Sequence, residues 1–217
     1  MPNSPTILRI VSIPFDENTY LAYFAGRSDC LVFDPGMQPD KIVAEIEQRQ
    51  LTPAAILCTH GHSDHIAGNE ALKQRWPECL LIIGAGDEAK LTDPVANLSA
   101  GFGVNLLSPP ADQVVSEGEV LELAGFRLEV RETPGHSSGH VVFLASGLSP
   151  LQVFGGDVLF AGSVGRTDFP DCSFEVLKRS IHEKLFPLPD DSIVLPGHGP
   201  ATTIGAEKQA NPFVGLA

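Results

Sequence analysis

The 217-residue sequence is poor in cysteine and in positive charge, and it has no long apolar run. Its 4 cysteines, Cys30, Cys58, Cys79 and Cys172, stand far apart and form no C-x-x-C pair, so reduced thiols are expected rather than a disulfide framework. Cys58 ends the apolar run Ala55-Ile56-Leu57-Cys58 and reads as a buried thiol. No apolar stretch approaches a membrane span, and the opening Met1-Pro2-Asn3-Ser4-Pro5 lacks the basic and apolar segments of a secretory leader. Lys and Arg number 14 against 27 Asp and Glu, for a net charge of −13, and the basic residues are scattered. Nucleic acid and anionic membrane surfaces need clustered cations, so neither is expected as a partner. These absences point to a cytoplasmic protein that acts on a small molecule.

What is present is an ordinary globular composition, 43% hydrophobic and 19% charged, enough for a large core without staples. Short β-rich runs at 7–13, 19–24 and 30–33 suggest an antiparallel meander. A helix is predicted over 40–50, with Ile42, Val43 and Ile46 on one face, then a buried strand at 54–58. A second helix at about 66–76 and a strand at 80–83 follow. The later part repeats the style, with a hairpin at 119–130 turning at Ala124-Gly125 and strands at 141–144, 151–154 and 192–195. Ser173 can cap a helix carrying Phe174, Leu177, Ile181 and Leu185 at helical spacing. Strands in both halves, with helices between them, predict an α/β fold of two face-to-face sheets with helices outside. The chain reads as one domain, 1–217, built from two similar halves, about 1–108 and 111–217, meeting at Ser108-Pro109-Pro110.

Every polar cluster of interest follows an apolar run, where a strand ends and a loop begins. The run 56–59 leads into His60-Gly61-His62-Ser63-Asp64-His65; others lead to His136, to Asp157 and to His198. Loops on one rim of a rigid sheet are where sites tend to be built. Imidazole and carboxylate suit Zn²⁺, Fe²⁺ or Mn²⁺, and three histidines with an aspartate in six residues have few other uses. Gly61 is expected to let the backbone turn, so that His60 and His62 face one point while Asp64 and His65 face another. His136, Asp157 and His198 bring the donors to seven, enough for two divalent metal ions sharing a carboxylate.

His60-Gly-His-Ser-Asp-His65, Thr133-Pro-Gly-His136, Gly156-Asp157 and Pro196-Gly-His198 resemble, in order, the signature motifs of the metallo-β-lactamase superfamily. The resemblance covers about residues 7 to 200. It implies a four-layer αββα sandwich with a binuclear site on one rim. It assigns His60, His62 and His136 to the first metal, Asp64, His65 and His198 to the second, and Asp157 between them. The stretch Gly165-Arg166-Thr167-Asp168-Phe169-Pro170 is similar to the glyoxalase II-like branch, the hydroxyacylglutathione hydrolases, and the ending through Phe213 resembles its short bacterial members. Only 19 residues follow His198, too few for the C-terminal helical domain of full-length glyoxalase II.

The resemblance implies a hydrolase with two divalent metals, zinc first and iron or manganese as alternatives, acting on a thioester such as S-lactoylglutathione through a bridging hydroxide. Asp64 is the candidate catalytic residue, orienting the hydroxide or accepting its proton besides ligating, and no serine nucleophile is needed at Ser63. Arg166 is a candidate for binding a substrate carboxylate, unless it ties its own loop to a nearby acid. Asp34, Asp168 and His140 are candidate supports for the ligands, Thr59 for the loop, and His182 is expected on a solvated helix face. Two alternatives stand beside this reading. Persulfide dioxygenases also resemble the chain, and imply one iron held through the positions of His60, His136 and Asp157. Hydrolysis of another ester or a lactone needs the same site.

Overall fold

Alternation of apolar side chains along short strands decides the layering. The computed structural model describes residues 4–216; residues 1–3 of the opening segment and residue 217 lie outside it. Strands β1 (Thr6–Ser12), β2 (Glu17–Tyr23) and β3 (Asp29–Phe33) form the expected antiparallel meander. Helix α1 (Pro39–Gln48) then crosses to β4 (Thr52–Cys58), parallel to β3. Helices α2 (Ser63–Ile66) and α3 (Asn69–Arg75) lead to β5 (Leu80–Gly84), and β6 (Gln113–Val115) completes a six-stranded sheet.

The second sheet also has six strands. It holds β7 (Val120–Leu123), β8 (Phe126–Glu132), β9 (Val141–Ser146) and β10 (Gln152–Gly156). A small hairpin of β11 (Leu159–Phe160) and β12 (Ser163–Val164) follows. Helix α4 (Phe174–Ser180) runs on into a wider π-helical turn, Ile181–Leu185. Strands β13 (Ile193–Pro196) and β14 (Thr202–Thr203) return to the sheet, and helix α5 (Ile204–Ala210) ends the regular structure. The spatial order is β14-β13-β10-β9-β8-β7, with β10 and β13 parallel.

In β4, Ala55 and Leu57 face the other sheet, while Ile56 and Cys58 face Ile42 and Ile46 of α1, Ile66 of α2 and Leu72 of α3. In β10, Phe154 points between the sheets and Val153 packs against Leu177 of α4 and Ile204 of α5. Helices therefore cover both outer faces, and the architecture is the expected αββα sandwich. Phe33 and Phe154 stack across the middle, ring centroids 3.6 Å apart and 5° from parallel. Each such buried side chain contributes roughly 1.5–3 kcal/mol of transfer energy.

Two expectations about elements are corrected. The single helix at about 66–76 is two short helices, because Gly68 N donates to Pro35 O at 2.8 Å instead of continuing the first helix. The chain passes between sheets at 116–119, a few residues beyond Ser108-Pro109-Pro110, because Gln113–Val115 adds a strand to the first sheet. The Ser173 cap is in place, its side chain accepting from Val176 N at 3.4 Å.

Candidate metal centre

Strands β4, β8, β10 and β13 deliver their polar loops to one rim of the sandwich. The seven expected donors meet there. Three overlapping triads have ligand atoms within 4.8 Å of one another: His60, His62 and His136; His60, His65 and Asp157; Asp64, His65 and His198. His65 Nε2 lies 3.7 Å from Asp64 Oδ2 and 3.5 Å from Asp157 Oδ1. His136 Nε2 and His198 Nε2 both lie 3.5 Å from Asp157 Oδ2, which puts Asp157 between the triads.

The outer nitrogens of four rings are held by protein. His60 Nδ1 pairs with Thr59 Oγ1 at 3.0 Å, and His65 Nδ1 with Asp34 Oδ2 at 3.2 Å. His136 Nδ1 donates to Arg166 O at 2.8 Å and His198 Nδ1 to Phe15 O at 3.0 Å. Each bond presents the ring's Nε2 to the centre. His62 is turned the other way, with Nδ1 2.9 Å from His136 Nε2. Among the described residues, the buried atoms His60 Nε2, His65 Nε2 and Asp157 Oδ1 have no hydrogen-bond partner, and neither does His62 Nε2. Buried polar atoms are normally satisfied, so converging bare donors are what a cation site requires.

The electrostatics favour the same use. Burial and the neighbouring imidazoles push His60 well below its ordinary value and His62 down to about 3, so both stay neutral. Burial would raise Asp157, but His65, His136 and His198 outweigh it and keep the carboxyl ionised. Burial lowers His65, and the carboxylates of Asp157 and Asp64 more than reverse it, so this end of the cluster attracts positive charge.

The supporting residues divide. Asp34 accepts from Thr59 N at 2.7 Å, from Thr59 Oγ1 at 2.8 Å and from His65, so it carries both the loop and a ligand ring. His140 is buried and accepts from Asp157 N at 3.1 Å through Nε2. Asp168 supports no imidazole; it forms a two-pronged pair with Arg166 at 2.9 and 2.7 Å on the solvent-facing rim. His182 is half-buried, not solvated, and pairs with Val214 O at 2.7 Å.

Sequence reasoning missed a buried network under the first motif. Asp87 accepts from Gly61 N and Gly139 N, both at 2.8 Å, and from the Ser137 hydroxyl. Lys90 lies 3.2 Å from Asp87, donates to Ser137 and reaches Asp171 at 2.6 Å. Asp87 follows the glycine that ends β5 and the Ala85-Gly86 step, the same strand-end signal that marked the other candidate donors. Gly61 has a different reason from the expected turn: a Cβ there would lie 2.5 Å from Lys90 Cβ. Gly197 is needed for close approach as well, since a Cβ would crowd Asp157 Oδ1 and sit 2.6 Å from His65 Cε1.

A cleft of about 400 Å³ opens over this cluster, with Asp64, Asp157 and His198 at its floor and phenylalanines around it. Two sheets with outer helices and a histidine–aspartate cluster on the rim define a metal-binding enzyme scaffold. The chain belongs to the metallo-β-lactamase superfamily, whose family model matches residues 13–198. It is 38% identical over 202 residues to the probable metallo-hydrolase YqgX of Bacillus subtilis, covering 93% of each chain. It is 37% identical over 203 residues to the hydroxyacylglutathione hydrolase GloC of Haemophilus influenzae, covering 92% of this chain and 93% of that one. Among solved structures it resembles the BLEG-1 B3 metallo-β-lactamase, with a TM-score of 0.91 and 36% identity over 96% of this chain and 99% of that one. A di-iron-bound form of TTHA1623 matches with a TM-score of 0.83 and 35% identity, over 95% and 99%. ETHE1 from Myxococcus xanthus follows at 0.77 and 26%, over 96% and 84%.

Proposed function

We propose that this member of the metallo-hydrolase superfamily hydrolyses a thioester, using two divalent cations. The observation that carries the proposal is the convergence of bare, buried donors on one point, His60 Nε2, His65 Nε2 and Asp157 Oδ1, beneath an open cleft. His60, His62 and His136 would hold one cation, Asp64, His65 and His198 the other, with Asp157 serving both. Bound there, the cations would make a water acidic enough to ionise near neutral pH and would polarise the substrate carbonyl. Zinc, iron and manganese all suit the donor set, and the di-iron relative makes iron as good a candidate as zinc.

The chain's own residues supply orientation. Asp64 lines the cleft and lies 3.4 Å from His198 Nε2, placed to orient a water or take its proton. Ser63 is held by its backbone, N donating to Asn97 O at 2.9 Å, and the reaction needs no acyl-serine. A thiolate leaves without much help from a general acid, which suits a site whose carboxylates and imidazoles serve as metal donors. Glutathione as the thiol rests on the name of one relative. A cytoplasmic setting, for which the four free thiols speak, and a single domain, for which the shared interior of the two sheets speaks, complete the proposal.

The test is a panel of thioesters, lactones and phosphoesters, S-lactoylglutathione included, on protein of measured metal content. Thioester hydrolysis abolished by chelation and restored by metal is expected. One iron per chain with oxygen uptake on glutathione persulfide would replace the proposal with the dioxygenase reading.

A further inference from the structure

The cleft over the donors is walled by aromatic rings. Phe15, in the turn between β1 and β2, meets Phe102 edge to face at 5.3 Å. Phe160 of β11 stands 6.1 Å from the His198 ring, and Phe169 lies 5.4 Å from His62 and 6.3 Å from His136. Rings therefore abut imidazoles at both ends of the cluster. A substrate whose carbonyl sits over the donors must run along these faces.

The walls of the cleft carry little positive charge of their own. Among the described residues that line it, Arg166 is the one Lys or Arg side chain. Its guanidinium is taken twice by Asp168 and lies over the Phe169 ring, 4.6 Å from the centroid. Lys90, beneath the floor, is buried and committed to Asp171, Ser137 and Asp87. Along the walls, away from the donors, a substrate carboxylate would lose water and meet only a guanidinium already paired with Asp168, whereas an apolar group gains by burial there.

We propose that the cleft selects thioesters whose thiol half is an uncharged aryl or alkyl group over those of glutathione, which carries two carboxylates. The inference rests on the thioester-hydrolase reading and adds the polarity of the leaving half. In the reaction the C–S bond breaks and a C–O bond to water forms. One water proton goes to the departing thiolate, and the other is released from the new carboxylic acid.

S-benzyl thioacetate and S-acetylglutathione share an acyl group and separate the two thiol classes. On metal-loaded protein, kcat/KM is expected to be at least about tenfold higher for the benzyl thioester. Phe102→Ala, at an exposed ring, should shrink that ratio by raising KM for the benzyl thioester more than for the other. Equal values, or a preference for S-acetylglutathione that Arg166→Ala removes, would overturn the proposal. Calorimetric titration with two thioethers that cannot be hydrolysed, benzyl methyl sulfide and S-methylglutathione, reads the cleft without turnover. Tighter binding of the benzyl compound supports the inference, and tighter binding of S-methylglutathione overturns it. Should neither thioester be hydrolysed, the hydrolase reading falls while the thioether titration still decides the polarity of the cleft.

Discussion

Within single residues of the cluster, the two nitrogens of one imidazole have separate duties. His65 gives Nδ1 to Asp34 and keeps Nε2 bare, so the carboxylate that orients the ring also makes it a better ligand. Asp64→Asn keeps the volume and removes the charge; at least about a hundredfold loss of kcat is expected with folding intact by circular dichroism. Ser63→Ala should retain most of the activity, and an acyl adduct on Ser63 in mass spectrometry would refute the serine-free mechanism. A pH effect belongs to Asp171. Burial would raise this carboxyl, but the hydrogen bond and charge of Lys90 bring it from 3.8 to about 2. Because the folded value is depressed, its stabilisation is present above about pH 4 and is lost as pH falls toward 2. Asp171→Asn should therefore be less stable than the parent at pH 6 and show a shallower loss of Tm between pH 4 and 2.

Between elements, the ligand loops are tied to one another rather than stiffened separately. The Asp87 carboxylate joins the loop after β4, through Gly61, to the loop before β9, through Ser137 and Gly139. Lys90 extends the tie to Asp171, just before α4. Asp87→Ala would leave two buried backbone N–H groups without their acceptor and leave Lys90 with Asp171 as its remaining carboxylate, at a cost of roughly 2–6 kcal/mol measured by denaturant unfolding. Metal content per chain should fall in the same variant, because His62 and His136 flank the loosened loops. Lys90→Met removes the charge but leaves its stem, so it should unfold at higher denaturant than Asp87→Ala. The split between α2 and α3 has a related origin. Pro35 O takes the N–H of Gly68, anchoring the short helix that carries Asp64 and His65 to the loop that carries Asp34.

Across the whole molecule, two sheets share one apolar interior, and the cluster sits where their loops meet. Phe33 comes from the first sheet and Phe154 from the second, and each is almost fully buried. Phe154→Ala should cost about 3–5 kcal/mol. It should also lower activity, because Phe154 lies three residues before Asp157 on the strand that positions it.

Much of this was legible in the sequence. Strand alternation and short helical periods are local properties, so the meander, the hairpin and the αββα layering followed from them. The meeting of the seven candidate donors was legible because each follows an apolar strand, and strand ends on one side of a sheet face the same rim. Asp87 carried the same signal but stood without a histidine beside it, and a lone acid after glycines looks like a turn. A local acid was one of the two partners expected for Arg166, and Asp168 is that acid; the partners of Lys90 and His182 could not be read, since groups 81 and 32 residues away compete with many others until the fold brings one into reach. By itself, then, the sequence determined the layers and the candidate donors. Only the tertiary structure decided which nitrogen of each ring is bare, which acids hold Lys90 and how apolar the cleft is, because those depend on distances between segments that chain order does not encode.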